Sequence, residues 1–204
     1  FNQSPSIEPI RLSNETFEVL TLAQAISRIS GGAFDVTVGP LVNAWGFGPT
    51  QAQQLDDETL KGLRQRIGFE KLILDSSNKT ATKTRADIYV DLSAIAKGYA
   101  VDRAVQIIGH YGFREYSVNA GGDLYAAGDI QQKRWRVGIR HPREKDQLIA
   151  LLPVANAAVA TSGDYERYFE KGGKRYHHII DPATGQPAQD CMSVTILSPR
   201  AYLA

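Results

Sequence analysis

The chain has 204 residues, of which 43% are hydrophobic and 22% are charged, and its net charge is +1. This composition predicts a globular domain rather than a disordered chain. The near-neutral charge gives no basis for binding nucleic acid or an anionic membrane surface. The single Cys191 excludes an internal disulfide and a cysteine-based metal site. No apolar run approaches the roughly 18 residues of a membrane span. The chain opens on Phe1-Asn2 without a signal-like segment, so we expect any such segment to lie upstream.

The first half of the chain predicts helices mixed with short strands. Apolar spacing predicts a helix over 14–30, with Asn14 as its N-cap. The alternating stretch AFDVTVGP predicts a strand, and Pro40 then opens a short helix through Trp45. The stretch DDETLKGLRQRIG predicts a capped helix that ends at Gly68. Three further strands are predicted at EKLILD, TATKT and DIYVDL, the first two joined by a Ser-Ser-Asn turn.

The second half predicts one helix, which stops at Gly112, followed mostly by β structure. The predicted strand regions are EYSVNAGGDLYAAG, WRVGIR, IALLPVANAAVATSG, YHHIID and SVTIL. The order is not a regular alternation of strand and helix, and the chain shows no repeat or linker. We therefore predict an α+β fold, a largely antiparallel sheet packed with helices.

The stretch YVDLSAIAKGYAVDRAV predicts a strand that runs into a helix, and it places Lys97 in an unexpected position. A helical wheel puts Lys97 at the centre of an apolar face, and Asp102 on the polar face. An unpaired ammonium in apolar surroundings is costly, so an anionic partner is one interpretation. The other is that Lys97 reaches past the core to water. The remaining residues of the predicted apolar face are Ala94, Ala100, Val101, Ala104, Ile107, Ile108 and Tyr111.

The start of the same helix also predicts an anion site. Free backbone N–H groups and the positive end of the helix dipole lie at residues 92–96, and Lys97 follows one turn later. This corner suits a phosphate without a Walker loop, although an ordinary strand–helix junction has the same spacing. Asp91 stands beside it and either faces water or serves a ligand hydrogen bond or a cation.

Four further polar residues carry two interpretations each. The adjacent His177 and His178 point to opposite faces of a strand, so at most one of them belongs to a site. Asp123 and Asp164 are flanked by small residues, which fits either tight turns or the close approach of a flat ligand. Ser162-Gly163 lacks the G-x-S-x-G pattern of a serine hydrolase.

Five separated blocks occur in the order and residue types of one family. They are GGAFDVTVGPLVNAWGFGP, VDLSAIAKGYAVDRAV, VNAGGD, VATSGDYERYF and YHHIIDPATGQP. On these blocks the chain resembles the ApbE family, the FAD:protein FMN transferases. The resemblance implies a T-fold-like domain over 1–204 that splits FAD with Mg²⁺. It further implies transfer of FMN through its phosphate to a Ser or Thr of a partner protein, with release of AMP.

The resemblance also implies roles for individual residues. Contacts to FAD map onto Ala33-Phe34-Asp35, Asp91, Lys97 and Ile180. The backbone carbonyl of Ala94 maps onto a metal ligand, and His178 matches the histidine proposed to activate the acceptor hydroxyl. The resemblance implies that the FAD diphosphate is the anionic partner of Lys97. Phosphoryl transfer depends mainly on positioning and charge neutralisation, and an ammonium supplies the latter.

Relative to the family, the chain is expected to be a core without its N-terminal and C-terminal segments, including an Asp and a Thr that complete the metal site. One carbonyl does not hold Mg²⁺ by itself. The family further implies periplasmic or other extracytoplasmic work on flavoprotein subunits of membrane redox complexes, with any inner-membrane anchor upstream. Two alternatives stay open, namely an FAD pyrophosphatase that releases FMN and AMP, and a non-catalytic FAD-binding module.

Overall fold

The computed structural model describes residues 1–48, 54–129, 131 and 133–204, which form two compact units. The helices are α1 (Asn14–Ile29), α2 (Gly39–Ala44), α3 (Asp57–Arg64) and α4 (Ser93–His110). The strands are β1 (Ile10–Arg11), β2 (Leu72–Asp75), β3 (Thr80–Lys83), β4 (Tyr116–Ala120), β5 (Asp123–Ala127), β6 (Trp135–Arg140), β7 (Leu148–Val154), β8 (Ala157–Gly163), β9 (Tyr168–Lys171), β10 (Lys174–His177) and β11 (Ser193–Ser198). Short 3-10 helices lie at Phe69–Lys71 and Ala201–Leu203.

Unit 1 comprises Phe1–Ala94 and Arg167–Gln189. Its strands form an antiparallel sheet in the order β1-β3-β2 and a β9-β10 hairpin. The N-cap of α1 is Ser13, one residue before the predicted Asn14, because the Ser13 hydroxyl accepts the backbone N–H of Thr16. The Ser-Ser-Asn turn joins β2 and β3 as predicted.

An aromatic core holds α2 against the β9-β10 hairpin within unit 1. Trp45 and Tyr176 stack with their ring centroids 5.4 Å apart, and Trp45 Nε1 donates to the Gly185 carbonyl at 2.8 Å. The buried members of this core are Leu41, Trp45, Phe47, Leu55, Leu60, Ile67, Tyr176 and Ile180. Ile180 and the strand that carries His177 are thereby fixed to α2.

Unit 2 comprises Ile95–Glu166 and Asp190–Ala204. Its main sheet has the order β11-β8-β5-β4, and β6 pairs with β7 in a separate hairpin. One face of the main sheet packs against α4, with Val101, Ala158 and Ala201 at the centre of that contact. The other face packs against the β6-β7 hairpin through Ala126, Ile139, Val154 and Val159.

The predicted fold class is confirmed, because helices pack with sheets and every strand pair that the structure describes is antiparallel. Two predicted strands are wrong. AFDVTVGP forms a turn that leads into α2, and DIYVDL begins in a turn and forms no strand. The predicted strand YHHIID holds only for Tyr176 and His177, where β10 ends. Among the described residues, no helix is long and apolar enough to cross a membrane.

Candidate active site

The turn before α2 is organised by the Asp35 carboxylate. Its Oδ1 accepts the backbone N–H and the hydroxyl of Thr37, both at 2.7 Å, and its Oδ2 accepts the backbone N–H of Phe69 at 2.8 Å. Thr37 Oγ1 in turn accepts the backbone N–H of Gly68. This network bends the chain where the alternating pattern predicted a strand, because the side chain offers the backbone a closer partner than a neighbouring strand.

The Asp35 carboxyl group is buried, and its environment shifts its titration. Removal from water raises the pKa of Asp35 above its usual value, while the hydrogen bonds from Thr37 and Phe69 oppose that rise. Three donors already bind this carboxylate. Any ligand contact from this stretch is therefore easiest from the exposed Ala33, the half-buried Phe34 or the backbone.

The Asp91 segment lies against the same turn in unit 1. The backbone N–H of Asp91 donates to the Val36 carbonyl at 2.7 Å, and the Asp91 carboxylate accepts the backbone N–H of Ser93, the first residue of α4. Gly39 is required here because a Cβ atom would fall 2.6 Å from the Tyr89 ring. Asp91 thus caps a helix start and remains half-buried rather than fully solvated.

A cavity of about 350 Å³ opens in unit 1 on the other side of this segment. The side chain of Asn2 takes the place of a neighbouring strand, since its amide pairs with both the N–H and the carbonyl of Val90, at 2.9 and 2.8 Å. Apolar side chains dominate the walls, which suits a flat ring. The lining residues are Phe1, Asn2, Gln3, Leu12, Thr16, Leu20, Val90 and Leu92.

The two adjacent histidines face different surroundings, although β10 ends at His177 and His178 lies outside that strand. His177 is buried, and its Nε2 lies 2.5 Å from the Ala188 carbonyl oxygen. His178 is half-buried, and its Nδ1 lies 3.2 Å from the Arg167 carbonyl oxygen. A carbonyl oxygen only accepts, so neutral His178 carries its proton on Nδ1 and its lone pair on Nε2.

The buried face of α4 differs from the face that the helical wheel predicted. The buried residues are Ile95, Gly98, Val101 and Asp102, whereas Tyr111 is 75% exposed. Asp102, predicted to face water, accepts the backbone N–H groups of Ala201 and Tyr202 at 2.9 and 3.1 Å. Gly98 leaves room for the Ala201 carbonyl, which a Cβ atom would approach to 2.4 Å. Contacts far along the chain therefore set the orientation of α4.

Lys97 consequently lies outside the buried face, and its partner is acidic. Its Nζ lies 2.9 Å from Oδ1 of Asp123, and the Lys97 side chain is 50% exposed. Both earlier interpretations hold in part, because an anion pairs with the ammonium and half of the side chain meets water. The small residues around Asp123 were the sequence signal for this partner, although the sequence did not connect the two residues.

The other acidic residue flanked by small residues serves a different pair. Asp164 receives two hydrogen bonds from the Arg143 guanidinium, at 2.6 and 2.7 Å, and its own backbone N–H donates to the Met192 carbonyl. This arrangement fixes the turn after β8 in unit 2. It accounts for Asp164 without a ligand.

Metal ligands are sparse in the part of the chain that the structure describes. No group of three or more His, Cys, Asp or Glu side chains is placed to hold an ion there. The predicted ligand, the Ala94 carbonyl, belongs to the first turn of α4. These residues alone do not fit a Mg²⁺ site, which needs near-octahedral oxygen coordination.

Comparison with known proteins gives this geometry a context. The model of the ApbE family matches residues 1–204. The chain belongs to the ApbE family. A FAD:protein FMN transferase of Haemophilus influenzae is 38% identical over 213 aligned positions, covering 100% of this chain and 62% of that protein. One of Vibrio cholerae is 40% identical, covering 97% and 60%. The chain thus spans about three fifths of the length of these curated relatives.

Solved ApbE structures share the fold. A crystal structure of an ApbE protein from Thermotoga maritima gives a TM-score of 0.88 at 37% identity, covering 96% of this chain and 64% of that one. The flavin transferase ApbE of Vibrio cholerae gives 0.87 at 38%, covering 99% and 65%. The ApbE resemblance that the five sequence blocks indicated is therefore confirmed.

The residues that the ApbE resemblance nominated fall into two local groups. Within unit 1, Asp35 and Asp91 are tied to the same turn, while His178 and Ile180 follow the strand that packs against α2. Within unit 2, Lys97 is paired with Asp123. Their contacts with FAD stay predictions.

Proposed function

We propose that the chain is the core of an FAD:protein FMN transferase that attaches FMN to a Ser or Thr hydroxyl of an acceptor protein. One observation carries the proposal, namely the ApbE family match over residues 1–204. Three transferases of this name are 36–40% identical to the chain. In this proposal, residues 1–204 act as one functional domain.

The proposed reaction moves one phosphoryl centre. The acceptor hydroxyl oxygen attacks the phosphorus of the FMN half of FAD, and a phosphoester bond forms. The phosphoanhydride bond to the AMP half breaks, and AMP leaves with the bonding electron pair. The hydroxyl proton passes to a base, for which we nominate His178 because it matches the family histidine proposed to activate the acceptor hydroxyl.

Charge supplies the remaining support. The Lys97 ammonium is half-exposed and suits the non-bridging oxygens of a diphosphate. Ala33, Phe34, Asp35, Asp91 and Ile180 complete the proposed contacts. The cavity beside Val90 is lined by none of these residues and is not part of the proposed FAD site. Mg²⁺ belongs to the proposal through the family, with the Ala94 carbonyl as its nominated ligand.

The test uses the full-length protein with FAD, Mg²⁺ and a candidate acceptor. A mass gain of one FMN on the acceptor, with release of AMP, supports the proposal. We expect His178→Ala to slow transfer by about 10²- to 10⁴-fold, the usual contribution of a general base. His110→Ala is the matched control, since His110 lies exposed near the end of α4. Equal rates for both variants would contradict the role of His178.

The same assay separates the two alternatives. Release of free FMN and AMP without labelling of the acceptor would identify an FAD pyrophosphatase. Tight FAD binding without turnover would identify a non-catalytic module. We further propose that the acceptors are flavoprotein subunits of membrane redox complexes and that the enzyme works in the periplasm or another extracytoplasmic space. Fractionation of cells carrying the full-length protein tests that location.

A further inference from the structure

The Lys97–Asp123 pair differs from a solvated surface ion pair. The Asp123 side chain is only 16% exposed, although it bears a carboxylate, and it meets the Lys97 ammonium at 2.9 Å. The Arg140–Glu166 pair in the same unit spans 3.5 Å, with side chains 59% and 58% exposed. A covered carboxylate without a partner is costly, whereas an exposed pair fixes little. Asp123 therefore constrains its partner more than Glu166 does.

The turn before β5 fixes the position of Asp123. Asn119 Oδ1 accepts the backbone N–H of Gly122 at 2.9 Å, and Asp123 pairs with Ala120 across the β4-β5 hairpin. Gly121 and Gly122 have φ angles of +61° and +105°, a region that favours glycine. The backbone position of Asp123 is thus fixed by the hairpin and not by its pairing with Lys97.

The same turn leaves its surface open. A Cβ atom added at Gly121 or Gly122 would meet nothing within 4 Å. A lysine ammonium has three N–H donors, and one of them points at Asp123 Oδ1. Within the described residues no other hydrogen bond from this ammonium is found, which leaves two donors for oxygen atoms of a ligand. The pair thus combines a fixed ammonium with an uncovered approach.

From this geometry we propose that Asp123 is a positioning residue, which holds the Lys97 ammonium in place for the diphosphate of FAD. This inference rests on the proposed function of the Lys97 site. A free lysine side chain loses rotamer freedom when it binds a ligand. If a carboxylate already holds that side chain in one rotamer, the entropy cost of binding is smaller. Asp123 would therefore act on FAD through Lys97 and not by its own contact with the diphosphate, which its negative charge would repel.

The decisive experiment is a double-mutant cycle on the full-length protein. FAD affinity is measured by flavin fluorescence titration for wild type, Lys97→Ala, Asp123→Ala and the double variant. We expect Asp123→Ala to weaken FAD binding about 3- to 10-fold, the equivalent of ordering one long side chain. In the Lys97→Ala background the same change should no longer weaken FAD binding, because the group that Asp123 positions is gone and only an acid that repels the diphosphate is removed. Equal losses in both backgrounds would overturn the proposal.

Three controls separate positioning from folding. Asp123→Asn keeps the shape of the side chain and should give a smaller loss of FAD affinity than Asp123→Ala. Glu166→Ala removes an exposed ion pair in the same unit and should leave FAD affinity unchanged. Riboflavin, which has no phosphate, should bind equally to wild type and Asp123→Ala. A parallel loss of riboflavin affinity would show a general structural defect and would count against positioning.

The design also distinguishes this inference from the proposed transfer reaction. Coupling between Lys97 and Asp123 in the titrations, without any labelling of the acceptor by wild type, would support positioning and overturn the transfer. Acceptor labelling with additive losses would support the transfer and overturn positioning. Absence of FAD binding by wild type would overturn both.

Discussion

Two lysines in different parts of the molecule differ in whether the protein itself occupies the hydrogen-bond donors of the ammonium group. In unit 1, Lys83 is 1% exposed, and its ammonium donates to the backbone carbonyls of Phe1, Ser4 and Ala86. It also lies 5.1 Å from the centroid of the Phe1 ring. In unit 2, Lys97 is half-exposed and donates to the one carboxylate of Asp123.

The difference lies in how many donors the protein itself occupies. Lys83 finds three carbonyl oxygens, which match the three N–H bonds of an ammonium, so it joins the first residues of the chain to the end of β3. Lys97 pairs with one carboxylate beside Gly121 and Gly122, which carry no side chains. A lysine saturated by its own protein stabilises the fold, whereas one that keeps donors can bind a ligand.

The largest effect that this comparison predicts is on transfer by Lys97→Ala. Loss of the ammonium should lower kcat/KM for FAD about 100-fold, because one donor to developing charge is removed from the site. The free energy of unfolding should fall by only about 1 kcal/mol, because the Asp123 carboxylate loses its partner but keeps some contact with water. Steady-state kinetics measures the change in kcat/KM, and urea unfolding measures the change in stability. A loss of stability comparable to that of a core substitution would place Lys97 with Lys83 instead.

Lys83→Met should show the reverse pattern. The three carbonyls lose their donor in a buried place, so we expect the free energy of unfolding to fall by about 3 kcal/mol. Transfer at saturating FAD, measured well below the unfolding transition, should be close to wild type. The matched control is Lys79→Met, whose ammonium pairs with Asn14 at the surface and should change stability little. If Lys83→Met unfolds like the control, the three carbonyl contacts contribute nothing.

Asp102→Ala extends the comparison to a buried acid. It removes the acceptor for the backbone N–H groups of Ala201 and Tyr202, and we expect a loss of about 2 kcal/mol in urea unfolding. Asp102→Asn keeps one acceptor oxygen and should lose less. Equal stability of Asp102→Ala and wild type would mean that Gly98 and Val101 hold this end of the unit alone.

Asp35 should give the smallest effect, a pH dependence. Its pKa is raised in the folded protein, so the folded state holds the proton more tightly than the unfolded state. The contribution of the protonated group to stability is therefore complete below the unfolded value of 3.8 and is lost as the pH rises through the higher folded pKa.

A comparison with Asp35→Asn isolates this dependence. Acids whose pKa values are lowered, such as Asp75 and Asp87, contribute equally to both proteins and cancel in the difference. The stability advantage of wild type over Asp35→Asn should be greatest at low pH and shrink on the way to neutral pH. An advantage that grows with pH would show that the three hydrogen bonds outweigh burial.

Local signals in the sequence predicted much of the fold. The helix over 14–30, the Pro40 helix, and the β2-β3 and β4-β5 hairpins all follow from spacing, caps and turn residues that act within a few positions. Such features need no distant partner, so the pattern alone sufficed.

The wrong predictions share a dependence on distant residues. AFDVTVGP forms a turn because the Asp35 carboxylate binds the backbone N–H of Phe69. In DIYVDL, the Asn2 side chain rather than a neighbouring strand pairs with the Val90 backbone. The wheel on α4 misplaced Lys97 and Asp102 because Ala201 and Tyr202 bind Asp102 from about a hundred positions away. No periodicity within a window of one helix carries that information.

The sequence by itself determined the family and the α+β class and nominated the side chains of the site, since these depend on residue types in order along the chain. Only the tertiary structure decided which lysine is saturated by the protein and which keeps donors for a ligand. The physical reason is that a buried charge is governed by the oxygen atoms within about 3 Å of it, and those atoms come from residues far apart in the chain.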